Sequence, residues 1–387
     1  MTSEYSKISF YEFFAGAGMA RAGLGDGWKC LFANDFDRKK GTTYTQNWGA
    51  DEIVVSDVRQ ISVEALPGTA EFVWGSFPCQ DLSLAGGGAG LRGDRSGTFW
   101  PFWGIMKGLC DEGRAPSLIV LENVCGTLTS HQGKDFSAIC SAFSELGYRY
   151  GAVVVDASLF LPQSRPRLFV IGVRDGVSLP GEVSANGPSK PWHTRALCNA
   201  YERLSAPAQQ KWIWWSLASP PPRTVDFADL VEETPTDVAW HSPEETGKLL
   251  AMMSEVNLAK LETAKQAGRR VVGTIYKRTR KAPDGTKVQR AEVRFDDVAG
   301  CLRTPAGGSS RQLILVVDGN HVRSRLISAR ETARLMGLPD NYLLPEKYNE
   351  AYHLTGDGVV VPVVRHLAAH IFEPILRLDR HVNRVAA

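Results

Sequence analysis

The sequence predicts an α/β protein with a mostly parallel sheet and a second, smaller domain. Two observations predict the sheet. Over about the first 175 residues, short apolar runs alternate with longer mixed segments, and a glycine-rich turn follows the first run. Such alternation is typical of βαβ units, whose ligands bind beyond the carboxyl ends of the strands. The second domain is predicted because this pattern is lost after Arg174.

Each element follows from a local pattern. The predicted strands are ISFYEFF, KCLFAND, EIVVSD, AEFVWGSF, SLIVLENV, YRYGAVVVD and RLFVIGV. FWPFWGIMKGLCDEG and DFSAICSAFSELG are predicted as helices between them. One long helix is predicted over 242–268, because Ser242 and Glu245 can form a capping box around Pro243. SARETARLMG and VVPVVRHLAAHIFEPILRL predict two further helices.

Composition narrows the class of protein. Of 387 residues, 43% are hydrophobic and 22% charged, which excludes wholesale disorder and fibrous structure. The seven cysteines include no C-x-x-C pair, so neither a disulfide framework nor a zinc site is expected. The start of the chain lacks a signal-peptide pattern, and no run reaches the roughly 20 apolar residues of a membrane span. We expect a soluble intracellular protein without a metal.

The net charge of +2 hides a block of positive charge. Between Arg269 and Arg294, nine lysine or arginine residues accompany only Asp284 and Glu292. Strand-like residues on both sides of the turn 283–285 predict a hairpin. A solvated charged hairpin and a nucleic-acid-binding surface are both open interpretations of this block.

The glycine-rich turn is a candidate cofactor loop. A strand that runs into Ala15–Met19 and then a helix is the first unit of a nucleotide-binding sheet, although an ordinary tight turn explains the motif as well. Asp35 ends the second strand, where a carboxylate can accept both hydroxyls of a ribose. Asp57 follows the third strand and can accept from an adenine amino group. The turn departs from the G-x-G-x-x-G spacing of dinucleotide enzymes, so an adenosine ligand without phosphates fits better.

Chemically useful side chains follow the next three strands. A lone cysteine is usually an inert small hydrophobe, but Cys79 at a strand's carboxyl end is a candidate thiolate nucleophile. Glu122 and Asn123 end the neighbouring strand, and the segment Gln163–Arg167 adds two arginines on the strand after that. A thiol, a carboxylic acid and an arginine are therefore predicted at one mouth above the cofactor, which suggests S-adenosylmethionine.

Five motifs together carry a family resemblance. FFAGAGM, PCQ, ENV and QSRPR, in that order, resemble the signature of the DNA cytosine-5 methyltransferases, and RLISARETARLMGLPDNY resembles their penultimate motif. The resemblance covers about 1–175 and 296–375. It implies a Rossmann-like, S-adenosylmethionine-dependent methyltransferase domain at 1–176 plus 345–387, with a target-recognition, DNA-binding domain at 177–344.

The resemblance also implies a role for each residue at the mouth. The Cys79 thiolate would attack C6 of a flipped-out cytosine, because C5 is a poor nucleophile until that addition. Protonated Glu122 would donate to N3 and Arg165 would hold O2, with Arg167 as a further member of the catalytic set. The glycine-rich loop after Cys79 would close as a lid.

The same resemblance assigns the cofactor and DNA residues. Phe14 would stack on the adenine of S-adenosylmethionine, while Asp35 binds the ribose and Asp57 the adenine amine. The predicted cofactor set is Phe14, Ala15, Gly16, Ala17, Gly18, Asp35, Phe36, Asp57, Val58, Pro78, Asp357 and Val359. The predicted DNA contacts are Gln80, Ser83, Arg95, Arg303, Thr304, Ser309 and Arg311, with Arg92 and Ser310 as further candidates.

Two places depart from a simple match. Asp357 stands where the family usually has asparagine. It can make the same loop hydrogen bonds, or its charge can favour the cationic cofactor and disfavour anionic analogues. In the run 211–215, Trp212, Trp214 and Trp215 are either core residues or, for one of them, a surface that stacks on a base. Phe77, where a small residue is common, is given no function.

We expect a sequence-specific enzyme that acts as a monomer on double-stranded DNA in the cytoplasm of a prokaryotic or phage host cell. A cognate restriction endonuclease is a candidate partner. A tRNA cytosine methyltransferase, a catalytically silent DNA-binding subunit and a nicotinamide oxidoreductase are the alternatives. The basic hairpin argues against the first, the set of Cys79, Glu122 and Arg165 against the second, and the glycine spacing against the third. The recognised DNA sequence does not follow from these residues.

Overall fold

The chain divides into two units by its internal contacts. The computed structural model describes residues 7–78, 91, 96–281, 284–302 and 311–386. Unit 1 comprises Met1–Asp156, Pro166–Pro220 and Val361–Ala387, and unit 2 comprises Ala157–Arg165 and Pro221–Val360. These bounds differ from the predicted domains, because 177–220 cluster with unit 1 and 345–360 with unit 2.

A seven-stranded mixed sheet forms the centre of unit 1. Its strands are β1 (Ile8–Phe13), β2 (Trp28–Asp35), β3 (Ile53–Val55), β4 (Phe72–Gly75), β5 (Leu118–Val124), β6 (Tyr148–Asp156) and β7 (Pro166–Arg174). Their order is β3-β2-β1-β4-β5-β7-β6, and β7 runs antiparallel to both of its neighbours, β5 and β6, whereas the other pairs are parallel. The Rossmann-like α/β fold and all seven strands predicted from the sequence are confirmed.

Helices cover this sheet and bury its apolar side chains. Those before residue 220 are α1 (Met19–Leu24), α2 (Arg38–Trp48), α3 (Phe99–Asp111), α4 (Lys134–Glu145), α5 (Arg195–Glu202) and α6 (Ala206–Gln210). Tyr11 and Phe13 of β1 pack in one core cluster with Phe102 and Met106 of α3 and Phe143 of α4, all fully buried. The segments predicted as helices near 99–113 and 135–147 are therefore helical.

The tryptophan run packs within unit 1. Two short strands, β8 (Ser184–Ala185) and β9 (Trp214–Trp215), pair beside β6. Trp215 is fully buried, and Trp212 packs edge-on against Tyr150 at a ring distance of 5.9 Å. Gly151 lies directly under this segment, since a Cβ there would come 1.8 Å from the Ile213 carbonyl oxygen. Trp215 is accordingly a core residue, and Trp212 packs partly buried against the core.

A four-stranded antiparallel sheet forms the centre of unit 2. Its strands are β10 (Val271–Lys281), β11 (Lys287–Arg294), β12 (Leu313–Asp318) and β13 (His321–Leu326), in the order β11-β10-β12-β13. The helices of this unit are α7 (Phe227–Leu230), α8 (Pro243–Ala251), α9 (Glu255–Lys265), α10 (Ala329–Leu335) and α11 (Tyr348–Asp357). The predicted basic hairpin is confirmed as β10–β11.

The single helix predicted over 242–268 is wrong. The capping box forms as expected, with Ser242 and Glu245 exchanging hydrogen bonds of 2.8 and 3.1 Å. The helix then ends, because the Met252 carbonyl accepts from the Ala291 amide of β11, and Ser254 begins α9. A tertiary contact with the hairpin thus interrupts a sequence that is locally suited to one helix.

The chain ends on helices that return to unit 1. These are α12 (Val361–Leu367), a π-helical turn (Ala368–Phe372) and α13 (Glu373–Ala386). By length and composition, the helical run Tyr348–Val385 could cross a membrane. However, it is interrupted at 358–360, and 61% of its most apolar window is buried inside the protein, as in a core helix.

Candidate active site

The topology of unit 1 brings several predicted residues to one edge of the sheet. The parallel strands β1, β2, β4 and β5 end there, and the reversed strand β7 begins there. Phe14 and Asp35 stand at the ends of β1 and β2. Glu122 lies near the end of β5, and Arg167 lies at the start of β7. Open α/β sheets bind their ligands at this edge.

The glycine turn after β1 is closely packed. Phe14, Gly16 and Gly18 all have positive φ angles, of 56°, 59° and 80°. The Trp48 indole donates to the Ala17 carbonyl oxygen at 3.0 Å, and a Cβ on Gly18 would lie 2.4 Å from that indole nitrogen. Glycine is therefore required at 18 by both its conformation and its neighbour. Positive φ at Phe14 is costly for a residue with a side chain, and such strain concentrates at functional sites.

Asp35 is held in place by the backbone around it. Its two carboxylate oxygens accept from the Gly16 and Asp37 amides, each at 2.8 Å. Burial raises the pKa of Asp35, although these amides act in the opposite direction. Each oxygen keeps a second lone pair that can accept from a ligand hydroxyl. The next side chain, Phe36, is 74% exposed.

Asp57 and Val58 lie beyond β3 at the same edge. The Asp57 carboxylate accepts from the Arg59 amide at 2.9 Å and pairs with the Arg59 guanidinium at 3.0 Å. Val58 is buried. The Asn34 side chain ties this strand to β2 by donating to the Val54 and Ser56 carbonyl oxygens, both at 2.9 Å.

Asn123 positions the segment that leads to Cys79. Its side-chain amide donates to the Phe77 carbonyl oxygen at 3.1 Å, and its oxygen accepts from the Val124 amide at 2.9 Å. Phe77 itself is buried against Phe99. Asn123 is a residue whose role the sequence analysis missed, although the ENV triplet marked its position.

Glu122 and Arg167 form an ion pair at the mouth. Arg167 Nε lies 3.2 Å from Glu122 Oε1, and the two side chains are only 16% and 10% exposed. The pairing of β5 with β7 explains the contact, because Val124 stands opposite Arg167 and Glu122 is its diagonal neighbour on the same face. A guanidinium and a carboxyl group thus share one small area at the edge of the sheet.

The Arg165 side chain makes its contacts within unit 2. It is 2% exposed and belongs to unit 2, where its Nη2 donates to the carbonyl oxygens of Gly356 and Gly358 at 2.8 and 2.6 Å. Its Nη1 contacts Cys301 Sγ at 3.2 Å. In the same unit, Gln163 Nε2 donates to the Leu335 carbonyl oxygen at 2.7 Å. The guanidinium expected to hold a base oxygen is instead occupied by backbone carbonyls.

Of the other residues predicted to bind the cofactor or DNA, some are described by the structure and the rest lie outside the described residues. Asp357 is exposed at the end of α11, and Val359 is buried. Arg311 lies over the Tyr348 ring at 5.6 Å and donates to the Asn349 side chain. Pro78 is the last described residue before Cys79. Several predicted residues lie outside the described residues: Cys79, Gln80, Ser83, Arg92, Arg95, Arg303, Thr304, Ser309 and Ser310.

A carboxyl group with a raised pKa is buried in β1, the strand that leads into the turn. Glu12, in β1, is fully buried, and burial raises its pKa to about 8. Asp35 is near enough for its charge to contribute to that rise. Glu12 Oε2 has no hydrogen-bond partner among the residues described. In that same part of the chain, no group of three or more His, Cys, Asp or Glu residues is arranged to hold a metal ion.

The fold and this edge define an α/β methyltransferase. The crystal structure of the S. pombe Dnmt2 methyltransferase resembles it with a TM-score of 0.59 at 17% identity, covering 95% of this chain and 99% of that one. The model of the C-5 cytosine-specific DNA methylase family matches residues 8–373. The chain therefore belongs to the C-5 cytosine-specific DNA methylase family.

Relatives that align over most of their own length are methyltransferases by name. The type II methyltransferase M.Bsp6I of Bacillus sp. (strain RFL6) is 24% identical over 375 residues, which cover 95% of this chain and 100% of that protein. M.HpaII of Haemophilus parainfluenzae is 24% identical over 390 residues, covering 95% and 90%. Both are type II methyltransferases by name.

Proposed function

We propose that this protein transfers a methyl group from S-adenosylmethionine to C5 of cytosine at a specific sequence in double-stranded DNA. The observation that carries the proposal is the Glu122–Arg167 pair, 3.2 Å apart at the carboxyl edge of the sheet. Cytosine presents N3 and O2 side by side. Protonated Glu122 would donate to N3 while Arg167 donates to O2, the role that the motif alone had given to Arg165.

The chain's own groups would activate the base. The Cys79 thiolate forms a bond to C6, and the electrons displaced from the C5–C6 double bond move toward N3 and O2. Glu122 supplies the proton at N3, and Arg167, whose side chain is mostly buried, stabilises the charge at O2. C5 is then nucleophilic and accepts the methyl group. A base from the solvent takes the C5 proton, and the S–C6 bond breaks with its electron pair returning to Cys79 as thiolate. The N3 proton goes back to Glu122, which restores the aromatic ring and the starting state of both side chains.

The cofactor fits the residues at the glycine turn. When bound, S-adenosylmethionine supplies an electrophilic methyl group on a positively charged sulfur. The buried carboxylate of Asp35 would favour this cation. Asp35 would accept from the ribose, Asp57 from the adenine amine, and the exposed ring of Phe36 would pack on the adenine with Phe14. Asp357 and Val359 are assigned to the cofactor by the family resemblance.

The β10–β11 hairpin suits a DNA backbone. Arg278 and Arg290 stand opposite each other, and Arg280 follows on the same face. Among the described residues, Glu292 is the carboxylate that pairs with them, at 3.4 Å from Arg278 and 2.5 Å from Arg280. One carboxylate for three guanidiniums leaves a positive strip, which attracts phosphates through counterion release.

A covalent trap tests the reaction. Fluorine at C5 cannot leave as a proton, so a duplex with 5-fluorocytosine should remain bound to the protein through denaturing electrophoresis when the cofactor is present. A pool of random-sequence duplexes avoids the need to know the site. Cys79→Ala should trap nothing, and an RNA pool should trap far less than DNA. A wild-type protein that forms no adduct with either pool would contradict the proposal.

A further inference from the structure

Arg165 is placed to hold a turn. The last carbonyls of a helix have no partner within the helix. At the end of α11, the Gly356 carbonyl oxygen and that of the following Gly358 both accept from Arg165 Nη2. A guanidinium also compensates the negative end of the helix dipole. Because Arg165 is 2% exposed, these contacts are shielded from water and fix the backbone on both sides of Asp357.

The turn leads directly into unit 1. Residues 359–360 connect it to α12, which packs on α1, the helix that follows the glycine turn. This packing is tight, since a Cβ on Gly23 of α1 would lie 2.4 Å from Val364 Cβ. The turn therefore immediately precedes, in sequence, the helix that packs on α1.

Tyr276 of β10 fixes Arg165 from the other side. Its hydroxyl donates to the Cys301 carbonyl oxygen at 2.8 Å and also contacts the Gln312 side chain. Its ring lies on Gly300, where a Cβ would come 2.4 Å from it. Cys301 in turn contacts Arg165 through sulfur. Arg278 of the hairpin lies over the Tyr276 ring at 5.8 Å. The series of contacts that ends at Arg165 therefore begins at the positive strip of the hairpin.

We propose that Arg165 is a positioning residue that holds the turn around Asp357 for cofactor binding, and that Tyr276, through Cys301, holds Arg165 in that role. The cofactor part rests on the proposed function. Arg165 then differs in kind from Arg167: one organises the turn, and the other contacts the target base. The sheet keeps the two roles separate, because β7 holds Arg167 by pairing with β5 and β6.

Kinetics separate these roles. Arg165→Lys keeps the charge but has a single terminal nitrogen, so it cannot contact Cys301 and both carbonyls together. The KM for S-adenosylmethionine should therefore rise about tenfold, the effect of one lost hydrogen bond. Exchange of the C5 hydrogen without cofactor reports only attack by Cys79 and activation by Glu122 and Arg167. It should stay near wild type in Arg165→Lys and be lost in Arg167→Lys. Loss of exchange in Arg165→Lys, or an unchanged KM, would overturn the proposal.

Tyr276→Phe tests the link. Its KM for S-adenosylmethionine should rise about threefold, and the double variant with Arg165→Lys should match Arg165→Lys alone, because Tyr276 acts through Arg165. Arg330→Lys is the matched control, since Arg330 also serves two backbone carbonyls of unit 2, those of Pro339 and Tyr342. Additive effects of Tyr276→Phe and Arg165→Lys would show that Tyr276 works by another route.

A measurement on the protein alone is independent of methylation. Backbone amides of residues 352–362 should exchange with deuterium faster in Arg165→Lys and Tyr276→Phe than in wild type or Arg330→Lys. Equal rates in all four proteins would reject the positioning role even if the enzyme were fully active. Faster exchange in a protein that shows no methylation would instead retain the role and reject the proposed function.

Discussion

At the scale of single residues, Glu12 predicts a pH-dependent stability. Burial raises its pKa to about 8 from the ordinary value of 4.5, so between these values the folded protein holds a proton that the unfolded chain has released. Stability should therefore fall as pH rises through this window, by about 1 kcal/mol per pH unit from this group. Glu12→Gln has no proton to lose and should remove that part of the decline.

Urea unfolding at about pH 5 and about pH 8 checks this prediction. The stability of Glu12→Gln relative to wild type should increase with pH. Glu346→Gln, at an exposed position, is the control and should follow wild type at both values. If the wild-type and Glu12→Gln curves stay parallel, Glu12 does not retain its proton in the folded protein.

Asn123 predicts a catalytic effect without direct contact with the base. Asn123→Ala removes the donor to the Phe77 carbonyl and the acceptor of the Val124 amide, which should cost about 1–3 kcal/mol of stability. Because the chain before Cys79 loses its support, adduct formation with the fluorocytosine duplex should slow at least about tenfold, while DNA affinity changes little.

Asn123→Asp is the comparison variant for this prediction. It keeps the acceptor for the Val124 amide but not the donor to Phe77. It should therefore recover part of the stability and little of the rate. Adduct formation at the wild-type rate in both variants would show that the Phe77 contact has no part in placing the nucleophile.

At the scale of elements, the packing of the tryptophan segment on β6 predicts a sharp difference between two glycines. Gly151→Ala would place its Cβ 1.8 Å from the Ile213 carbonyl oxygen, so the segment must move, at a cost of about 3 kcal/mol or more. Gly104→Ala, exposed in α3 with no heavy atom within 4 Å of the added Cβ, should stabilise the protein by about 0.5–1 kcal/mol. Thermal unfolding of both variants checks this prediction, and Gly151→Ala should have the lower melting temperature. Equal melting temperatures would contradict this packing.

The elements also show what sequence can and cannot predict. Central strands such as LIVLENV are apolar on both faces, so their pattern alone identifies them. The break between α8 and α9 depends on the contact of Met252 with Ala291, residues far apart in sequence, which no local pattern contains.

The two arginines of QSRPR illustrate the same limit within the site. Their spacing would place both on one face of a continuous strand. However, β7 begins at Pro166, so Arg165 precedes the strand and turns to unit 2, whereas Arg167 enters the sheet beside Glu122. The motif marked both residues. Their different contacts depended on where the strand starts.

At the scale of the whole molecule, domain limits followed from packing rather than composition. Residues 177–220 change in texture, yet Tyr150 of β6 exchanges backbone hydrogen bonds with Lys211 and Ile213 and draws them into unit 1. Residues 345–360 look continuous with the final helix, but Thr355 bonds Thr332 at 3.0 Å in unit 2. The assignment of DNA recognition to 177–344 stays a prediction.

The central claim is that the protein methylates C5 of cytosine in one DNA sequence. The most direct test is to express it in a host without cytosine methylation and to sequence the genome after bisulfite conversion, with Cys79→Ala as the matched control. We predict protected cytosines confined to one short motif, and none in the control. Complete conversion in cells that contain the folded protein, or protection that persists in Cys79→Ala, would contradict the account.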